Sequence, residues 1–206
     1  MGVAEEKETR ILESLLCTVA PEDLMVGKLV GLGGAGLTLV GVWLVFGLQV
    51  ASAPLAMLQI EVPPLVILLG LLYFAFGYLF YASMMTGIGA IANNLREAQQ
   101  LALTFTLMNF IPFYALTKIL NSPNSRLTTG LSLFPLTAPT TMMMRLSVSS
   151  LTGTVIPAWQ VATSLGLLVL TALAALVLSA KLFRLGLLLY GKTPNLPEIV
   201  RILRQR

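Results

Sequence analysis

The chain has 206 residues, of which 56% are hydrophobic and only 11% charged, and its net charge is +4 at pH 7. Soluble domains carry about 25% charged residues, so this composition excludes an ordinary water-soluble fold. A single cysteine, Cys17, excludes an intrachain disulfide, and the lack of histidine removes the commonest general base and metal ligand together.

Glu5, Glu6, Lys7, Glu8 and Arg10 stand where the apolar core of a signal peptide would be. The first hydrophobic span is therefore expected to direct insertion. Residues 5–19 place Ile11, Leu12, Leu15, Leu16 and Val19 at helical spacing among charges, which predicts a short amphipathic helix. It fits a helix lying on the membrane surface, or one docking a soluble partner. Pro21 suits a first helical position, with Glu22 and Asp23 in the first turn, where the helix dipole favours anions.

A bilayer core of about 30 Å needs about 20 apolar residues of helix. Residues 29–50 supply the first such span, and residues 51–62, with Pro54 and Glu61, read as a short connection. Residues 64–92 form a second span, longer than a bilayer needs and so expected to tilt or project. Residues 93–98, NNLREA, are a polar break before a third span over 99–119, which carries Asn109 and Pro112. Residues 121–127 are rich in turn formers. Residues 128–146 are too apolar for a solvated loop and too broken by Pro135 and Pro139 for a straight crossing. They predict a re-entrant helical hairpin or an interfacial helix, since broken backbone at membrane depth needs protein or a water-filled cavity around it. A fourth span covers 155–180, and the basic tail 181–206 is expected to end in a short amphipathic helix over 197–203. The predicted fold class is all-α, a polytopic helical membrane bundle.

Four crossings put the N-terminal helix, the 93–98 loop and the tail on one side. That side holds Lys7, Arg10, Lys28, Arg96, Lys181, Arg184, Lys192, Arg201, Arg204 and Arg206, against Lys118, Arg126 and Arg145 on the other. The positive-inside rule then places both termini in the cytoplasm, and the basic excess reads as membrane orientation rather than as nucleic-acid binding.

Gly31, Gly33 and Gly36 satisfy G-x-G-x-x-G but lie inside a membrane helix, without the strand a dinucleotide site needs. Gly27, Gly31 and Ala35 instead make a small-residue stripe suited to close helix packing. No phosphate-binding G-x-x-x-x-G-K-[ST] occurs, Asp23 is the only aspartate, and no lysine falls within a span to serve a Ser–Lys dyad. An enzyme is not expected. Tyr78, Tyr81 and Asn109 are the polar side chains within spans that could line a transport path, although each also suits a structural role. Met142, Met143 and Met144 are adaptable gap-fillers or a substrate surface.

Four linked segments carry a family resemblance. EEKETRILESLLCTVAPEDLMVGKLVG (5–31) resembles the segment before the third transmembrane helix of ABC-2-type permeases, with Glu5, Glu6, Lys7, Glu8, Arg10, Glu13, Leu15, Leu16, Pro21, Gly27 and Lys28 matching. Residues 77–100 look like the end of the next helix and its cytoplasmic turn, and 121–146 resemble the extracellular re-entrant region. The tail over 182–204 is similar to the C-termini of NatB-type sodium-efflux permeases. The resemblance implies the permease subunit of an ATP-driven exporter in the cell membrane, moving Na⁺ or a small molecule outward. A separate ABC ATPase subunit would hold the ATP and Mg²⁺, so this chain needs no cofactor, and a second permease subunit, identical or different, would complete the path. The resemblance makes residues 5–27 the cytoplasmic coupling region, with Glu5, Glu6, Glu8, Arg10, Leu12, Glu13, Leu15 and Leu16 facing the ATPase. Residues 29–180 are then the membrane bundle and 181–206 a cytoplasmic tail. The family's first helix, extracellular domain and second helix have no counterpart in this sequence. A non-transporting remnant or a small regulatory membrane protein is the alternative expectation.

Overall fold

The computed structural model describes residues 18–57, 63–92 and 94–188, which form helices α1 (Pro21–Met57), α2 (Pro64–Ile91), α3 (Leu95–Asn109), α4 (Ile111–Tyr114), α5 (Leu116–Asn121), α6 (Arg126–Leu133), α7 (Ala138–Thr152) and α8 (Ala158–Leu188). No strand occurs among the described residues. Among the described residues four stretches are long and apolar enough to cross a membrane: Asp23–Gly47, Pro64–Ile91, Leu95–Asn121 and Ala158–Phe183. The chain is thus a polytopic all-helical bundle, as its hydropathy predicts. The predicted amphipathic helix at 5–19 and the tail helix at 197–203 lie outside the described residues.

Several boundaries move. Helix α1 begins at Pro21 as expected but runs through Pro54 to Met57, instead of ending near residue 50. A proline this close to a helix end removes one backbone bond, and in an apolar setting continuing the helix keeps the other backbone groups satisfied. The polar break before α3 is short, because Asn94 caps that helix: its Oδ1 accepts from the Glu97 N–H at 2.8 Å. The third span is not one straight helix. Pro112 has no N–H to give the preceding turn, and the backbone tightens around it, with Phe110 N–H bonding Leu107 O at 3.1 Å and Phe113 N–H bonding Phe110 O at 3.0 Å.

Helices α6 and α7 pack together as a helical hairpin. Ser125 opens it, its side chain accepting from Thr128 N–H. The turn between them is closed by Thr137, whose Oγ1 donates to Leu131 O at 2.7 Å. Helix α7 stops at Gly153, which adopts φ +69°, a left-handed conformation that costs glycine little. The last span outruns its predicted end, with α8 continuing to Leu188.

The chain forms two compact units. One comprises Met1–Val30, Leu79–Thr106 and Ala172–Arg206. Met25, Leu29, Ala90 and Phe183 are buried together there, with Leu24, Ala82, Leu176 and Ala180 packed against them. At Gly87 the α2 backbone comes so close to α8 that an added Cβ would lie 2.9 Å from Ser179 Oγ, the same hydroxyl that donates to Ser83 O. The second unit comprises Gly31–Tyr78 and Leu107–Thr171. Gly77 plays the equivalent part in it: a Cβ would stand 2.9 Å from the ring of Pro139. Its interior is markedly polar, burying Thr128, Ser132, Thr137, Thr141, Arg145, Gln160 and Ser164 beside Tyr73 and Met142.

Candidate functional site

The polar interior of the second unit is organised by one cation. Arg145, in the middle of α7, has no solvent exposure. Its Nη1 donates to Ser132 Oγ at 2.7 Å and contacts Met142 Sδ at 3.6 Å. Its Nη2 donates to Gln160 Oε1 at 2.5 Å and to Asn124 Oδ1 at 3.1 Å. The guanidinium fork therefore joins the turn before α6, α6 itself, α7 and the first turn of α8. Around it, Ser132 Oγ donates to Thr129 O at 2.8 Å, Ser164 Oγ to Ser132 O, and Asn124 Nδ2 to Val155 O at 3.1 Å. Tyr73 OH of α2 reaches α8 at Val161 O, 3.1 Å away.

All four acceptors of the guanidinium are neutral, and Arg145 Nε is buried without a hydrogen-bond partner. Burial pulls the group's pKa down from its ordinary value, yet arginine starts so far above neutrality that it stays charged. The described part of this unit contains Lys118, Arg126 and Arg145 but no aspartate or glutamate. The described charges of this unit are thus of one sign, which suits holding structure or repelling cations. Sequence reading treats Arg145 only as a charge on the outer side. The available signal is its setting, an arginine among apolar and hydroxyl residues with no acid nearby.

The predicted path residues have separate surroundings. Asn109, at the end of α3, accepts at Oδ1 from Thr140 Oγ1 of α7 at 2.8 Å, so its polar group ties the third span to the hairpin. Half-buried Tyr78 lies over Gly33, where an added Cβ would be 2.9 Å from the ring. Half-buried Tyr81 belongs to the first unit and meets Phe80 edge to face, with centroids 5.4 Å apart. Of the three methionines, Met142 is buried and Met143 exposed. Glu5, Glu6, Glu8, Arg10, Leu12, Glu13, Leu15 and Leu16 all lie outside the described residues.

Four crossing-length helices among the described residues, a broken third span and a polar hairpin define a multi-pass membrane protein. The family model for ABC-2 family transporter proteins matches residues 1–181, and the chain belongs to that family. It is 31% identical over 202 residues to the uncharacterized protein MJ1024 of Methanocaldococcus jannaschii, covering 98% of this chain and 48% of that one. It is also 27% identical over 214 residues to the uncharacterized protein YhaP of Bacillus subtilis, covering 99% and 50%. The chain thus spans about half the length of these relatives. No solved structure matches it.

Proposed function

We propose that this chain is a membrane subunit of an ABC-2 exporter, working with a separate ABC ATPase and at least one further permease subunit. The observation that carries the reading is the family match over residues 1–181, which takes in three of the crossing-length stretches whole and the fourth to within two residues of its end. Permeases of this family normally work with an ATPase, and this sequence has no phosphate-binding loop of its own. ATP-driven closure of the ATPase would be felt through residues 5–27 and passed to the helices. The cargo would be Na⁺ or a small molecule, leaving the cell. The sodium reading comes from the tail's likeness to NatB-type permeases. The small-molecule reading draws support from the carboxylate-poor spans, since Glu22, Asp23 and Glu97 stand only in first turns.

The test is co-expression with an ABC ATPase from the same gene neighbourhood and purification in mild detergent. A stoichiometric complex is expected, and Leu15→Asp or Leu16→Asp should abolish it by putting a charge on the apolar docking face. Failure of a well-folded preparation to bind would overturn the exporter reading; unchanged binding of both variants would overturn the coupling role. ATP-dependent accumulation of radioactive Na⁺ in inverted vesicles then separates the two cargoes.

A further inference from the structure

The second unit contains a cavity of about 180 Å³ between α1, α2 and α7. Val40 and Leu44 supply one wall, Gly70 and Phe74 another, Met143 and Leu146 the third. The one side-chain hydroxyl in its lining, that of Ser147, donates to Met143 O at 2.9 Å, so no free donor points inward. Cavities of about 150 Å³ with such walls stay dry and accept apolar guests. Nothing here would desolvate an ion or satisfy a polar solute. A glycine keeps the space open: a Cβ on Gly70 would already touch Met143 Cε at 3.6 Å, and a longer side chain would fill the cavity.

The surroundings identify what enters. Leu44, Leu71 and Met143 at the rim are partly exposed, and Trp43, Val45 and Phe46 continue the apolar surface outward along α1. The α1 and α2 walls both lie within crossing-length apolar spans, so the medium at the mouth is the hydrocarbon of the bilayer. We propose that this cavity is a binding site for the acyl chain of a membrane lipid, which wedges between α1, α2 and α7 beside the Arg145 hairpin. The proposal needs the chain to be in a membrane but does not depend on the exporter reading.

The probe is a phospholipid carrying a diazirine on its acyl chain, with the whole chain reconstituted in nanodiscs and the crosslinks mapped by peptide. Leu167 and Leu170 are exposed on α8 outside the cavity and report ordinary lipid contact. Labelling of the α7 segment around Met143 and Leu146 should exceed theirs roughly tenfold, the ratio for a site favoured by about 1.4 kcal/mol over ordinary lipid contact. Gly70→Leu and Met143→Trp, each filling the cavity, should bring α7 labelling down to the α8 level and leave the α8 level unchanged. Gly70→Ala adds only a methyl at contact distance, so it keeps the fold and should lower the excess in part. Even labelling of all exposed sites in the unaltered chain would overturn the proposal, as would an excess that survives in both filled variants. Loss of the excess on adding a soluble apolar competitor, with lipid unable to restore it, would also overturn the lipid and assign the cavity to a hydrophobic solute.

Discussion

Arg145 shows how much one side chain can decide when its charge is buried without a carboxylate. Each hydrogen bond to a charged group contributes about 1.5–3 kcal/mol, and this guanidinium reaches Ser132, Gln160 and Asn124 at once. Arg145→Met leaves the Gln160 and Asn124 carbonyl oxygens without their donor, and Arg145→Lys keeps the charge but cannot fork to all three. Both variants should lower stability, the methionine by about 1–3 kcal/mol for the stranded carbonyl of buried Gln160 and the lysine by less, read as thermal unfolding in detergent. Arg126→Met is the control. That residue is exposed, so its loss should stay within about 0.5 kcal/mol. Equal effects at both positions would mean that charge as such matters and the network does not. A milder case is Asn109, whose carbonyl accepts from Thr140. Hydrogen bonds between membrane helices average about 0.6 kcal/mol. A double-mutant cycle of Asn109→Leu and Thr140→Val should therefore return a coupling near that size; a coupling of zero would return Asn109 to the candidate transport path.

At the scale of helices, close approach is set by glycine and serine. Gly87→Val would drive a branched side chain into Ser179, whose backbone Cα lies only 3.5 Å from the added Cβ position, so the α2–α8 contact must open. Overpacking of this kind costs about 1–3 kcal/mol, and the unfolding temperature should fall accordingly. Gly41→Ala, with nothing within 4 Å of its Cβ, should leave the isolated chain unaffected. A variant at Gly87 as stable as the one at Gly41 would show that the two helices do not meet there. Elements of this kind were legible in the sequence to different degrees. The spans could be read because hydropathy over a membrane thickness is a long-range average that a few residues do not disturb. Their ends could not, because a boundary turns on single bonds: Asn94 accepting from Glu97, or Pro54 being carried inside α1 rather than ending it. Pro135 and Pro139 predict either a re-entrant hairpin or an interfacial helix over 128–146, and a helical hairpin forms there, whereas its pin is not predicted. An arginine whose partners come from Asn124, Ser132 and Gln160 is invisible to periodicity, because the contacts exist only after folding.

For the molecule as a whole, the part of the first span beyond Gly33 is the informative one, since no described residue of it is fully buried within the chain. Most of that surface is therefore open to lipid or to another polypeptide. Either arrangement requires a definite orientation. The sequence bears on it: Lys28, Arg96 and Lys181 stand with seven further Lys and Arg of the ends on the side expected to be basic, against Lys118, Arg126 and Arg145 on the other. If the positive-inside bias governs insertion, the more basic side is the cytoplasmic one. Cys17 is the only thiol in the sequence and stands in the N-terminal segment expected on that side, so it reports the orientation without any engineered label. An impermeant maleimide should leave it untouched in intact cells and modify it in inverted vesicles. A serine at position 17 should abolish the signal in both preparations. Labelling in intact cells would turn the molecule over. It would put residues 5–27 beyond reach of a cytoplasmic ATPase and require a different account of how ATP moves this bundle.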